Sequence, residues 1–305
     1  MLPPAVPYAG EVSVVSWNGK TTRAKELLVE FLPPGRFRRE IVDRYGFTAQ
    51  VIVSDGQAQW FYDRARRAAW KTAPSDPDYK RLGPEEELEL LTENYATVLA
   101  GEEKVAGRPC WVVELRTRAG GRAARTLWVD KRHSLVLQSK TYQSDGAVAS
   151  TMRFVKAEFP ERLDPRRFRF FPPHGASVHE TVLTPDYLEL EDARVASGLE
   201  PRQPAWLPAG FVFESLNVVP YAGATLLHYR YSDGIEALSL FQCPRTAALG
   251  SGELPKERVR LAAGRGLLSV GPDGKLLEWS GFGQRFVLVG DLPLEALRRV
   301  ADSVQ

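Results

Sequence analysis

A chain of 305 residues with 44% hydrophobic and 26% charged content has the make-up of an ordinary folded protein, long enough for two domains with separate cores. Forty basic residues face 38 acidic ones, so a net charge of +2 leaves no electrostatic footprint for nucleic acid. No run approaches the ~18 consecutive apolar residues of a membrane-spanning helix, so any membrane association is expected to be peripheral.

The amino end, M-L-P-P-A-V-P-Y, lacks the basic start and apolar core of a leader peptide. Two expectations stay open: a cytosolic protein, or an exported one whose leader is not part of this sequence. A strand is predicted from Gly10 to Trp17, and Asn18-Gly19 is a strong hairpin signal. Lys25 to Leu32 returns as a second strand, Pro33-Pro34-Gly35 turns the chain, and Arg36 to Asp43 gives a third. Val51 to Val53 and Gln57 to Tyr62 pair across Ser54-Asp55-Gly56, and Ala68 to Thr72 adds a short edge. After a loop at Pro74 to Asp78, the spacing predicts a helix over Pro84 to Ala100. Pro84 suits its first position, Glu85, Glu86 and Glu87 complement the amino-terminal dipole, and Gly101 caps its end. Leu88, Leu91, Tyr95 and Val98 would form its apolar stripe.

Val105 to Phe159 reads as four short runs that alternate apolar and polar residues, with turn residues between them. That period of two predicts an antiparallel meander with one dry and one wet face. Trp111, Val113 and Leu115 are placed on one side, and Val112, Glu114 and Arg116 on the other. Pro160 to Pro173 mixes Arg and Phe and is expected as a partly exposed strand or domain edge. His174 to Gln203 is polar and irregular, and is taken as a linker with a lone strand around Tyr187 to Leu190.

A second domain opens at Trp206-Leu207-Pro208-Ala209-Gly210-Phe211. Strands are predicted at Val212 to Val219, Thr225 to Tyr231, Ile235 to Gln242, Leu267 to Val270, Leu276 to Ser280 and Arg285 to Val289. A terminal helix follows, with Leu294, Leu297, Val300 and Val304 on one face. Ser-Asp-Gly or Pro-Asp-Gly recurs four times between strand-like runs. This is one turn solution used repeatedly, with Gly accepting positive φ and Asp bonding its own backbone.

The chemistry of an enzyme is missing. No G-x-S-x-G, H-E-x-x-H or phosphate loop occurs, and the glycine pairs at Gly264/Gly266 and Gly281/Gly283 lack the third glycine of a nucleotide fold. His174 and His179 lie five apart with Glu180 adjacent, without the further ligands that zinc needs. Cys110 and Cys243 fall inside predicted strands of different domains and are read as buried small hydrophobes. No catalytic residue, cofactor or metal is assigned.

In their order, V-A-G-R-P-C-W-V-V-E-L, T-L-W-V-D, L-V-L-Q-S, D-G and M-R-F resemble the amino-terminal domain of the RseB/MucB family, regulators of the sigma-E stress response. That domain is similar in fold to the lipoprotein carriers LolA and LolB. W-L-P-A-G-F, H-Y-R-Y-S-D-G-I-E-A-L-S-L-F and V-L-V-G-D-L-P-L-E-A-L-R-R-V-A-D-S-V resemble the family's smaller carboxy-terminal domain, so the likeness runs from about Tyr8 to the end. The resemblance implies an α+β, mainly β protein: a LolA-like half-open antiparallel β-barrel with a closing helix, then a smaller antiparallel sheet domain with a C-terminal helix. The expected division is residues 1–173 as the LolA-like domain, 174–203 as linker and 204–305 as the partner-binding domain. It further implies an extracytoplasmic protein that binds the outer segment of an anti-sigma factor and modulates its proteolysis. A lipid or lipoprotein acyl chain is the second expected ligand, and a lipoprotein or lipid carrier of the LolA/LolB type is the alternative reading. The large apolar side chains Leu91, Tyr95, Trp111, Val113, Trp128, Leu137 and Phe154 are the candidates for lining an apolar cavity between the sheet and the helix. Partner-binding residues are not assigned.

Overall fold

Short runs of alternating residues, broken by Gly- and Asp-bearing turns, fold more than half of the described residues into strands. The computed structural model describes residues 6–17, 22–43, 45–72, 84–180, 189–221, 224–247, 249, 254–271 and 274–305. Six strands come first: β1 (Tyr8–Trp17), β2 (Thr22–Leu32), β3 (Arg36–Val42), β4 (Thr48–Ser54), β5 (Gln59–Asp63) and β6 (Ala68–Thr72). Helix α1 (Pro84–Asn94) leads into β7 (Tyr95–Val105), β8 (Arg108–Thr117), β9 (Ala123–Asp130), β10 (Val136–Tyr142) and β11 (Val148–Glu158), and β12 (Ser177–Glu180) follows. Each group of strands is an antiparallel meander, and the two are sewn together by β1 against β11, from Ala9↔Glu158 to Ser16↔Ser150. The resulting order, β12-β6-β5-β4-β3-β2-β1-β11-β10-β9-β8-β7, has free ends at β12 and β7. The sheet is therefore large and open. At the seam Gly10 is required, because a Cβ there would sit 2.3 Å from the Lys156 carbonyl oxygen and 2.8 Å from the Phe154 ring.

Three of the four Asp-Gly turns behave as their chemistry dictates; Pro272 and Asp273 of the fourth lie outside the described residues. Asp55 Oδ1 accepts from the amides of Gln57 and Ala58 at 2.8 and 2.9 Å, Asp145 Oδ1 from that of Ala147 at 2.8 Å, and Asp233 Oδ1 from those of Ile235 and Glu236 at 2.9 and 2.7 Å. The glycines that follow have φ of 89°, 87° and 98°. The Asn18-Gly19 turn lies outside the described residues, but the strands it joins pair up to Trp17↔Thr22. The loop at Pro74 to Asp78 is also outside them.

Three local expectations change. The helix ends at Asn94, and Tyr95 to Val105 is a strand paired with β8. Ala96-Thr97-Val98-Leu99 carries a β-branched pair suited to a pleated surface, and eleven residues of ladder outweigh a weak helical stripe. Gly101 is consequently not a cap but lies in β7 at a register shift, with φ of 142°. On α1 the buried residue is Leu90, while Leu88 is exposed. The second change is in the meander, which is not dry on one face only. Val112 pairs with Trp128 and the neighbouring Val113 with Leu127, so apolar partners stand on both faces. Thirdly, Pro160 to Pro173 forms no strand. Asp164 caps a 3₁₀ turn over Pro165–Phe168, Phe168 is buried, and Phe170 packs on Trp60 and Tyr62 at 5.6 and 5.8 Å.

The stretch from residue 174 to 203 is divided between the domains. β12 adds in parallel to β6, covering the edge expected there, and α2 (Leu190–Ser197) buries Ala193 in the second core. Gly198, at φ of 69°, closes α2 in the left-handed conformation that glycine adopts freely. Leu190 thus starts a helix rather than ending a strand; Tyr187 lies outside the described residues.

The second sheet contains β13 (Val212–Tyr221), β14 (Ala224–Ser232), β15 (Ala237–Pro244), β16 (Glu257–Leu261), β17 (Gly264–Gly271), β18 (Gly274–Gly281) and β19 (Gln284–Gly290). Its order is β13-β14-β15-β19-β18-β17-β16. No sequence pattern marks β16, because its E-R-V-R-L offers only two apolar residues. Leu297 and Val300 of α3 (Leu294–Asp302) pack with Tyr229, Leu240, Leu277 and Phe286 in one core. Burying each such side chain contributes about 1.5–3 kcal/mol. Both cysteines are buried free thiols.

Candidate functional site

The seven cavity candidates do not line one cavity. Trp128, Leu137 and Phe154 are buried together with Val12, Val105, Cys110 and Val112. Trp128 also donates its Nε1 hydrogen to Glu103 at 2.8 Å, which fixes the ring. Leu91, Tyr95 and Val113 belong to a second cluster, on the other face of β8 and β9, with Leu115, Ala124 and Leu127. Trp111 joins neither: it is exposed, with Lys131 Nζ 3.7 Å above its ring. Residue type alone does not separate these, since the strand register decides which face each side chain takes.

The second cluster is completed from the other domain, by Ile235. Ile235 belongs to the Ser232-Asp233-Gly234 turn between β14 and β15, and that turn seats against the end of α1. Asn94 donates both amide hydrogens across the boundary, to the carbonyls of Gly210 and Asp233, each at 3.0 Å. The Tyr95 hydroxyl donates to Asp233 Oδ2 at 2.6 Å, and burial and then this bond raise its pKa well above the ordinary phenolic range. Gly234 lies so close to the helix that a Cβ would meet the Leu91 Cα and N at 3.1 Å. Sequence reasoning misses these contacts because Ser-Asp-Gly reads as turn punctuation, and nothing in it names a partner so distant in the chain.

Beside the turn lies a cleft of about 540 Å³ between the domains, with Trp17, Arg23 and Asp145 on one side and Glu236, Lys275 and Asp291 on the other. Burial first, and then the neighbouring carboxylates Asp233 and Asp291, push the Glu236 carboxyl up to about 7, against the opposing pull of Arg122 and Arg125. A second cavity, of about 570 Å³, lies under the 3₁₀ turn. Its walls are charged and internally paired: Arg167 to Glu30, Arg38 to Glu40 at 2.5 Å and Lys156 to Glu158 at 2.7 Å. None of the seven candidates lines either cavity.

An apolar row that sequence reading does not single out crosses the first sheet on the face of Val29 and Arg39. Ile52, Phe61, Trp70 and His179 follow one another through paired positions on β4, β5, β6 and β12. Phe61 and Trp70 lie 5.4 Å apart and the His179 ring stacks on Trp70 at 5.5 Å. Ile52, Phe61 and Trp70 are half-buried. His179 is therefore an exposed element of a strand. Among the described residues no cluster of three potential metal ligands occurs, and no helix is long and apolar enough to cross a membrane.

Residues 46–170 match the MucB/RseB N-terminal domain. In fold the whole chain is similar to MucB in complex with MucA(peri), with a TM-score of 0.61 and 19% identity, covering 98% of this chain and 93% of that one. The Pseudomonas aeruginosa MucA/MucB complex gives the same score and identity, covering 99% and 94%. A further crystal structure of MucB is similar at 0.56 and 19%, covering 99% and 93%. A Methanocaldococcus jannaschii protein, MJ0687, is 24% identical over 164 residues, which are 52% of this chain and 44% of that protein. The chain thus spans less than half the length of that relative. The matched residues span β4 to β11 of the large open sheet, and the similarity in fold continues through the smaller sheet and its terminal helix.

Proposed function

We propose that this chain is an extracytoplasmic regulatory binding protein that holds the outer segment of an anti-sigma factor and controls its exposure to proteolysis. The observation that carries the reading is the pairing of a MucB/RseB domain with a second β-rich domain, in the order and fold of MucB taken in complex with MucA(peri). A disordered juxtamembrane segment suits this architecture. The smaller sheet ends at β13, whose outer backbone groups can accept an added strand, and the cleft between the domains offers polar groups beside that domain. Ordering such a segment costs free energy, so a stable complex needs the usual ~1,200–2,000 Å² of buried surface, which draws on both domains. The test is a calorimetric titration of the full chain with the outer segment of the anti-sigma factor from the same organism, followed by amide exchange. Binding with new protection along β13 is expected. A folded chain that gives no heat with that segment overturns the reading, and protection confined to the first sheet moves the binding surface there.

The half-buried Ile52–Phe61–Trp70 row supports a second ligand, an acyl chain, and with it the alternative of a lipid or lipoprotein carrier. A lipopeptide that changes the fluorescence of the wild-type chain but not of Trp70→Phe supports this placement. Identical responses in the two proteins remove it.

A further inference from the structure

The Ser232–Glu236 turn does more in this molecule than reverse the chain. It inserts Ile235 into the first domain's cluster, receives Asn94 from the end of α1 and Tyr95 from the start of β7, and presents Glu236 to the cleft. Of the two other turns of the same sequence, Ser54-Asp55-Gly56 has the same internal bonds, while Ser144-Asp145-Gly146 keeps only that from the Ala147 amide to Asp145 and borders the cleft through Asp145. We propose that the Ser232–Glu236 turn is a latch between the domains that acid tightens and alkali loosens, through the carboxyl of Glu236.

The groups around that carboxyl come from every element that meets there. From its own turn comes Asp233, already engaged by the Tyr95 hydroxyl and by two backbone amides. Asp291 follows β19 and is paired with Lys275 of β18 at 3.3 Å. The first domain contributes Arg122 and Arg125 at the β8–β9 hairpin, Arg23 and Lys25 of β2, and Asp145 between β10 and β11. Arg122 gives Nη1 to the Gln143 carbonyl at 2.8 Å. The Glu236 carboxylate itself makes no hydrogen bond or ion pair with a described side chain, and the Nε of Arg125 is buried without a partner. Closing the domains therefore half-buries this carboxyl at the edge of the cleft, beside two other acids, and gives it no direct cation in exchange.

The linkage has a definite sign. Glu236 binds its proton more tightly when the latch is seated, with a pKa of about 7 there against the ordinary glutamate value of 4.5 when the turn is withdrawn. Below that ordinary value both states are protonated and seating is at its most favourable. As pH climbs from there to about 7 the withdrawn state ionises first, and the seated fraction falls relative to it by up to about tenfold per pH unit. Above about 7 both are ionised and the dependence levels off.

The experiment places spin labels on the full chain at Ala147→Cys, beside Asp145 on the first domain, and at Val270→Cys on the second domain's wall of the cleft; a labelling control without these cysteines accounts for the buried Cys110 and Cys243. Distance distributions are recorded from pH 4.5 to 8.5. A wider population that grows between about pH 5 and 7 and then levels is expected, with Glu236→Gln narrow at every pH. Ile235→Ala, which weakens the seat without touching the titrating group, should be wider throughout and keep the pH dependence. A wild-type distribution that does not change across the range overturns the proposal. So does a Glu236→Gln chain that widens as the wild type does, which would assign the response to another group.

Discussion

At the scale of single residues, the buried titratable groups give this protein opposed responses to acid. His228 lies half-buried in β14, stacked on Phe241 at 4.3 Å and 3.0 Å from the Ser239 hydroxyl. Burial, reinforced by Arg230, lowers its pKa to about 4, from 6.5. The folded state therefore prefers the neutral ring. Its contribution to stability is complete above about 6.5 and is lost as pH falls from there towards 4. Urea melts of the second domain should weaken across that window, and His228→Gln should flatten the dependence; an unchanged slope in the variant would assign it elsewhere. Sequence reading gives His228 no role, because a histidine in a strand declares neither its burial nor its neighbours. Cys110 and Cys243, by contrast, are legible as buried small hydrophobes from their positions in strands.

Among the elements, what can be read is whatever local chemistry dictates. Three of the Asp-Gly turns, the four-run meander and the amphipathic α3 follow from turn preferences and periodicity, and they are found where the sequence places them. The α1–β7 boundary is not legible. Leu91, Tyr95 and Val98 keep helical spacing, but the ladder to β8 claims everything beyond Asn94, and only the partner strand can make that choice. For the same reason the cavity candidates fall into separate clusters: register assigns Trp128 and Val113 to opposite faces. The β1–β11 seam is open to a direct test at this scale. Gly10→Val would drive side-chain atoms into the Lys156 carbonyl and the Phe154 ring. Overpacking of this kind costs about 1–3 kcal/mol, so a lower urea midpoint is expected, and a midpoint equal to that of the wild type would show that β1 shifts freely at this position.

For the whole molecule, two sheets share few but specific contacts, and stability should depend on these and on the two cores rather than on any bound ion. The described residues hold no cluster of three metal ligands, and His179 is committed to its stack on Trp70. Chelation should leave the melting temperature unchanged; a fall of several degrees would show a structural metal, since such sites contribute folding free energy directly. The strands of both sheets are legible in periodicity and turn signals, whereas the way the sheets meet is not. That meeting depends on Asn94, Gly210 and Asp233, three residues with no pattern between them until the chain is folded.

The seam also sets an order in time. β1 is made first but has two neighbours, and one of them, β11, ends at Glu158. No shorter amino-terminal fragment can close this seam, so β1 must wait with an unpaired edge until the chain has emerged as far as Glu158. Pairings this distant in sequence are slow to form, and an edge left open in the meantime is where a nascent chain is most prone to pair wrongly. The first domain should thus be the slow step in the birth of this protein and the part most in need of a chaperone's cover.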